Sequence, residues 1–194
     1  MKRLAVMVSG GGTNLQALID ACAEGKINGA IVAVISSNAE TYALARAARA
    51  GIPTHVVSRK DCSDIAERDA KLIKILAGCD IDYVILAGYL GIFGADFIKA
   101  YPRKIINIHP ALLPRHGGIG MYGINVHRAV IAAGDTVTGA TAHYVNETVD
   151  GGEIIRQVRL GVLPTDTPET LQQRLLDSVE HKLLTEVVAE LCAE

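Results

Sequence analysis

The sequence predicts an α/β fold: an open, mostly parallel twisted sheet with helices on both faces and an antiparallel extension of the sheet toward its C-terminal end. Three observations predict it. Short β-branched runs alternate with stretches of helical periodicity through the first half of the chain. Those runs are continuously apolar, as strands covered on both faces are. After Ile108 the pattern gives way to a Gly- and Pro-rich segment and then to two further β-rich runs joined through turn residues.

Taken in order, Leu4–Val8 is the first strand. Lys2 and Arg3 precede a short apolar run, but glycines follow at once, which is not the build of a signal segment. Leu15–Ala23 has helical spacing, Ile31–Ile35 is the second strand and Tyr42–Ala50 the second helix. Thr54–Val57 is a strand, Ile65–Leu76 a helix, and Tyr83–Leu86 and Ile105–Ile108 are strands. Right-handed crossovers fix the hand of each unit. His109–Gly123 reads as a long loop, a length that more often serves function than connection. A short helix is expected over Val126–Ala133, then strands over Gly139–Val145 and Ile154–Leu160 with Asn146–Gly152 between them. Thr167 is an N-cap candidate with Pro168 at the first helical position, opening a final helix that runs to Leu191. No repeat, low-complexity tract or linker interrupts the chain, so residues 1–194 are expected to form one domain.

The 194 residues are 49% hydrophobic and 21% charged, enough apolar material for one sizeable core. A net charge of -2 gives no electrostatic case for nucleic acid or an acidic membrane surface as a partner. No apolar run approaches the roughly 18 residues of a membrane span. Cys22, Cys62, Cys79 and Cys192 form no C-x-x-C pair, which argues against a zinc site and a disulfide framework. Free thiols in a reducing, cytoplasmic setting are expected.

Three places could carry chemistry. Ser9-Gly10-Gly11-Gly12-Thr13-Asn14 lies between the first strand and the first helix. Glycines let a backbone approach an anion, and the helix start supplies free N–H groups, with Thr13 and Asn14 as side-chain donors. A phosphate fits there; so does a plain capped turn. No Gly-Lys-Ser/Thr follows, and Leu15 stands at the third glycine position of a dinucleotide fingerprint, so neither nucleotide motif applies. Asn107-Ile108-His109-Pro110 ends the fifth strand, and strand alternation puts Asn107 and His109 on one side. An amide donor and an imidazole together suit a developing oxyanion, although a histidine satisfied by backbone carbonyls is the plain alternative. In Asp150-Gly151-Gly152, a carboxylate near His109 would orient the ring and favour its charged form. Asp-Gly is also a strong turn signal, and by itself the turn is the favoured reading. His143 reads as a core or supporting histidine; His55, His116, His127 and His181 read as structural or exposed, and Glu180 as part of a solvated helix face.

Together, several stretches resemble the phosphoribosylglycinamide formyltransferases, the glycinamide ribonucleotide transformylases of purine synthesis. They are residues 8–18 around Ser-Gly-Gly-Gly-Thr-Asn-Leu-Gln, residues 84–90 (Val-Ile-Leu-Ala-Gly-Tyr-Leu), residues 107–114 (Asn-Ile-His-Pro-Ala-Leu-Leu-Pro), and residues 139–145 with 149–152. They occur in the family's order and span nearly the whole chain. The resemblance implies an N-terminal half that binds phosphate and a C-terminal half that binds folate and carries the catalytic groups. It implies that Gly12, Thr13 and Asn14 hold the phosphate of glycinamide ribonucleotide, with Gly88, Pro110 and Glu180 also on the substrate side. Leu90, Gly91, Ile92 and Phe93 would line the pocket of 10-formyltetrahydrofolate, the formyl donor. Asn107 and His109 would face the formyl carbonyl, with Asp150 supporting His109. No metal is implied, and a homodimer is compatible with such a chain.

Three features depart from the family pattern. Gly91 stands where the family usually has Arg, Ile65 stands near the place of a helical Arg, and the 115–123 loop is longer than usual and could serve as a lid over the folate site. A formyltetrahydrofolate deformylase would share Asn, His and Asp but normally carries an N-terminal regulatory domain. A methionyl-transfer-RNA formyltransferase would need a basic C-terminal domain. A non-catalytic phosphate-binding module on the same fold is the alternative of another class.

Overall fold

An apolar strand buried on both faces needs a layer of helix on each side, and this chain supplies both. The computed structural model describes residues 1–193. Strands β1 (Lys2–Val8), β2 (Gly29–Ser36), β3 (Thr54–Val56), β4 (Tyr83–Leu86) and β5 (Ile105–His109) alternate with helices α1 (Thr13–Ala23), α2 (Tyr42–Arg49), α3 (Ile65–Gly78) and α4 (Ala95–Ala100). Helix α5 (Ile124–Ala132) follows, then β6 (Val137–Tyr144), β7 (Ile154–Gly161), α6 (Pro168–Leu175) and α7 (His181–Ala193). The seven strands form one sheet in the order β3-β2-β1-β4-β5-β6-β7. β1 to β5 pair in parallel, and β6 and β7 extend the sheet antiparallel. This is the predicted architecture.

Alternation along each strand divides the core in two. Leu4, Val6, Ile85, Ile106 and Ile108 pack on one face with Leu15 and Leu18 of α1 and Leu184 and Val188 of α7. Ala5, Met7, Val84, Leu86 and Ile105 pack on the other with Leu72 and Leu76 of α3 and Phe97 of α4. Asn107 and His109 share the parity of Ile105, so they leave the sheet on the α3–α4 side, as the period of two requires.

Two elements differ from the sequence reading. Helix α4 was not expected, because six residues are too short to display a helical period; the fully buried Phe97 anchors it. The final helix is not continuous. Leu176–Glu180 form a π turn between α6 and α7. One extra residue in that turn rotates α7 relative to α6, a distortion that often marks functional positions.

Candidate active site

In an open parallel sheet, ligands gather outside the carboxyl ends of the strands where the strand order reverses. Here the reversal lies at β1, which has β2 on one side and β4 on the other. The loops after β1 and β4 meet there, with the Leu90 backbone N–H donating to Ser9 Oγ at 2.9 Å. A cavity of about 550 Å³ opens along this edge. It runs from Asn14 and Glu180, past Asn107 and His109, to the Leu90–Phe93 loop, with Gly118–Gly123 forming the opposite wall.

Asn107 and His109 sit on the floor of the cavity. His143, directly across the ladder from Asn107, is buried, and its Nδ1 lies 2.9 Å from the Tyr144 carbonyl. Burial holds the His143 pKa below the usual imidazole range. The neutral ring therefore carries its proton on Nδ1 and accepts through Nε2. Asn107 Nδ2 lies 3.1 Å from that Nε2, so the amide donates one N–H to His143 and keeps the second for the cavity. The supporting role expected of His143 has this physical content: it sets which way the Asn107 amide faces.

His109 is buried, and both its ring nitrogens face oxygens. Nε2 donates to the His116 carbonyl at 2.8 Å, and Nδ1 lies 3.5 Å from Asp150 Oδ2. The Asp150 carboxylate also accepts the Gly118 N–H at 2.9 Å and lies 3.7 Å from His143 Nε2. The turn reading favoured for Asp150 was incomplete. The residue does occupy a turn, in the left-handed region at φ 53°, and that conformation carries its carboxylate back to both histidines. The reason is tertiary: β6 lies beside β5, so the loop after β6 closes over the end of β5.

The glycine loop is held from behind. Gly12 caps α1 at φ 74°, and a Cβ there would come within 2.6 Å of Ala43 Cβ, so only glycine fits. Arg46 Nε donates to the Gly11 carbonyl at 2.9 Å. Gly12 and Thr13 lie outside the cavity lining, whereas Asn14 belongs to it. Asn14, expected to offer a side-chain donor to an anion, donates through Nδ2 to Glu180 Oε2 at 3.2 Å. The solvated-face reading of Glu180 was wrong. The π turn brings this residue inward to 7% exposure, and burial pushes its carboxyl up to about 7, partly offset by the Asn14 amide. Gly88 and Pro110 line the cavity, as do Leu90, Gly91, Ile92 and Phe93.

A model of the formyl transferase family matches residues 2–188. The chain belongs to the formyl transferase family. Among relatives of this formyl transferase, the phosphoribosylglycinamide formyltransferase of Haemophilus influenzae is 42% identical over 174 residues, which is 90% of this chain and 80% of that one. The chloroplastic phosphoribosylglycinamide formyltransferase of Arabidopsis thaliana is 41% identical over the whole of this chain, which spans 66% of that protein. The crystal structure of glycinamide ribonucleotide transformylase 1 from Symbiobacterium toebii superposes with a TM-score of 0.94 at 38% identity, covering 100% of this chain and 88% of that one. The activity class expected from the motifs is therefore that of the family: an enzyme of formyl-group transfer.

Three groups at the formyl transferase site escaped the sequence reading. His127 of α5 lines the cavity fully buried, and neither ring nitrogen has a hydrogen-bond partner among the described residues. Burial, with the nearby His109, pushes its pKa down to about 4. Arg68 and Asp69 of α3 are buried behind the Leu90–Phe93 loop. Their only signal was a charged pair at helix positions facing the apolar stripe of Leu72 and Leu76, which a reading biased toward solvated charges passes over.

Proposed function

We propose that this formyl transferase moves the formyl group of 10-formyltetrahydrofolate to the amine of glycinamide ribonucleotide, giving formylglycinamide ribonucleotide and tetrahydrofolate in purine (IMP) biosynthesis. The observation that carries this reading is the meeting of Asn107, His109 and Asp150 at the middle of one cavity, between a mostly apolar end and an end built from Asn14 and Glu180. The apolar end, at Leu90–Phe93, suits a flat heteroaromatic donor. The glycine loop beside the other end suits the acceptor's phosphate, through the backbone N–H groups of Gly12, Thr13 and Asn14.

The acceptor amine attacks the formyl carbon, a C–N bond forms, and the carbonyl oxygen takes up negative charge. The free Asn107 N–H and a His109 N–H donate to that oxygen. His109 Nε2 is held at 2.8 Å by the His116 carbonyl, while Nδ1 faces Asp150 at 3.5 Å, so Nδ1–H is the less committed donor. Asp150 faces Nδ1 and orients the ring. The attacking amine gives up a proton to Glu180 or to water, and collapse breaks the bond to the folate nitrogen, which takes a proton from His109 or from water. Glu180, poised near 7, can hold or release a proton beside the acceptor. The free thiols of Cys22, Cys62, Cys79 and Cys192 suit a reducing compartment, and a cytoplasmic location is part of the same reading.

The test is release of tetrahydrofolate from the donor with and without glycinamide ribonucleotide. Release that requires the ribonucleotide and yields its formylated product supports the proposal; release without it indicates hydrolysis of the donor and defeats it. Removing one oxyanion donor by Asn107→Ala is expected to lower kcat by about 100- to 1000-fold.

A further inference from the structure

The loop that forms the apolar end of the cavity has little regular structure of its own between β4 and α4. Three of its residues are nevertheless tied to one buried unit on α3. Asp69 Oδ1 accepts from Arg68 Nε at 3.1 Å and from Arg68 Nη2 at 2.6 Å. Its second oxygen, Oδ2, accepts the Gly94 backbone N–H at 2.6 Å. Arg68 Nη2 also donates to the Ile92 carbonyl. The Arg68 guanidinium stands 5.7 Å from the centre of the Phe93 ring, which stacks on Phe97 at 4.2 Å and on Tyr89 at 5.4 Å. Both charged side chains are almost wholly buried, at 5% and 3% exposure.

A buried ion pair is a poor device for stability, because desolvating two charges offsets most of their attraction. Its particular merit is directional: a planar guanidinium and a carboxylate accept only a few geometries. Here the bonds left over after the pair has formed go to the backbone of the loop rather than to other helices. Gly94 is the residue that opens α4, so the carboxylate fixes where that helix starts. Gly91 reports the same constraint. A Cβ at this position would lie 2.5 Å from the Tyr89 ring, so the backbone rests directly on the aromatic stack. A side chain at position 91 would have to displace that ring.

We propose that Arg68 and Asp69 are positioning residues for the formyl donor: they hold the Leu90–Gly94 loop in the shape that receives its heteroaromatic end. This inference rests on the donor reading of the cavity given above. The pair touches the loop and not the reacting centre around Asn107, His109 and Asp150. Its removal therefore weakens donor binding and spares the chemical step and the acceptor.

The experiment uses the double variant Arg68→Met, Asp69→Leu, which replaces both charges by apolar groups of similar reach and leaves no buried charge unpaired. Expected is a rise of about tenfold or more in KM for 10-formyltetrahydrofolate, with kcat and the KM for glycinamide ribonucleotide within about threefold of the parent. Expected also, without any ligand, is faster amide hydrogen exchange at Gly94 by about tenfold or more, with the β1 and β4 amides unchanged. An unchanged donor KM, a uniform loss across kcat and both KM values, or an unaltered Gly94 amide would overturn the proposal. If the parent enzyme transfers no formyl group, the donor reading fails. Gly94 exchange then decides by itself whether the pair holds the loop: an unaltered amide ends the inference entirely, and a faster one retains only the clamp.

Discussion

The cavity has two walls built on opposite plans. The wall at Leu90–Gly94 is tied from behind by Arg68 and Asp69 and backed by the Tyr89–Phe93–Phe97 stack. The wall at residues 115–123 contains Gly117, Gly118, Gly120 and Gly123, carries Ile119 at 84% exposure, and meets the rest of the site through a few polar contacts. Those include the Gly118 N–H on Asp150, the His116 carbonyl on His109, and Arg115 and His116 on Asp135 at 2.5 and 2.7 Å. The first wall is held in one shape, as the proposed binding of a rigid ring system requires. The second is fastened partly to Asp135 and partly to His109 and Asp150, the groups proposed for catalysis. That arrangement suits the lid expected from the loop's length.

The sharpest way to break this contrast is to leave a charge stranded in the fixed wall. Asp69→Leu alone strands Arg68 in an apolar setting and is expected to destabilise the fold by about 3–5 kcal/mol, measured by urea denaturation, whereas the double variant costs far less. A smaller loss from the single change would mean that Arg68 escapes to water and that the wall is not rigid.

Glu180 extends the contrast to the far end of the cavity, where a buried carboxyl has an amide partner but no counter-ion among the described residues. Its pKa is raised by burial from 4.5 to about 7. The folded state therefore binds more protons than the unfolded one between those values. The associated stability is full below about pH 4.5 and is lost as pH rises through 7, a decline on the order of 3 kcal/mol. Glu180→Gln is expected to remove that decline in chemical denaturation series at several pH values; a parallel decline in the variant would assign it to other groups.

Gly91→Ala probes the fixed wall more gently. Its Cβ must push on the Tyr89 ring, at an expected cost of about 1–3 kcal/mol in thermal or chemical unfolding. The smallest effect belongs to the other wall. Ile119→Ser is expected to change stability by no more than about 0.5 kcal/mol, because the side chain is already in water. Amide exchange in residues 117–121 that slows on donor binding, with Gly94 unchanged, would sharpen the comparison; equal protection of both walls in the free enzyme would erase it.

Much of this was legible in the sequence, for local reasons. A period of two put Asn107 and His109 on one side of β5, and the apolar runs placed five parallel strands. From its own residues Asp150 was favoured as a turn, and its support of His109 was read mainly from the resemblance, because its conformation is local while its partners lie on β5 and β6. Helix α4 and the π turn were not legible. One is too short to show a period, and the other is a single-residue distortion inside a continuous helical pattern.

By itself, then, the sequence determined the sheet, its helical layers and the family, because patterns of polarity and backbone freedom act between near neighbours. Only the tertiary structure decided which charges are buried and what they touch. Glu180 meets Asn14 across 166 positions of chain, and Asp69 meets Gly94 across 25. A carboxylate reads the same in a sequence whether it faces water or a desolvated partner, and the cost of desolvation is set by everything packed around it.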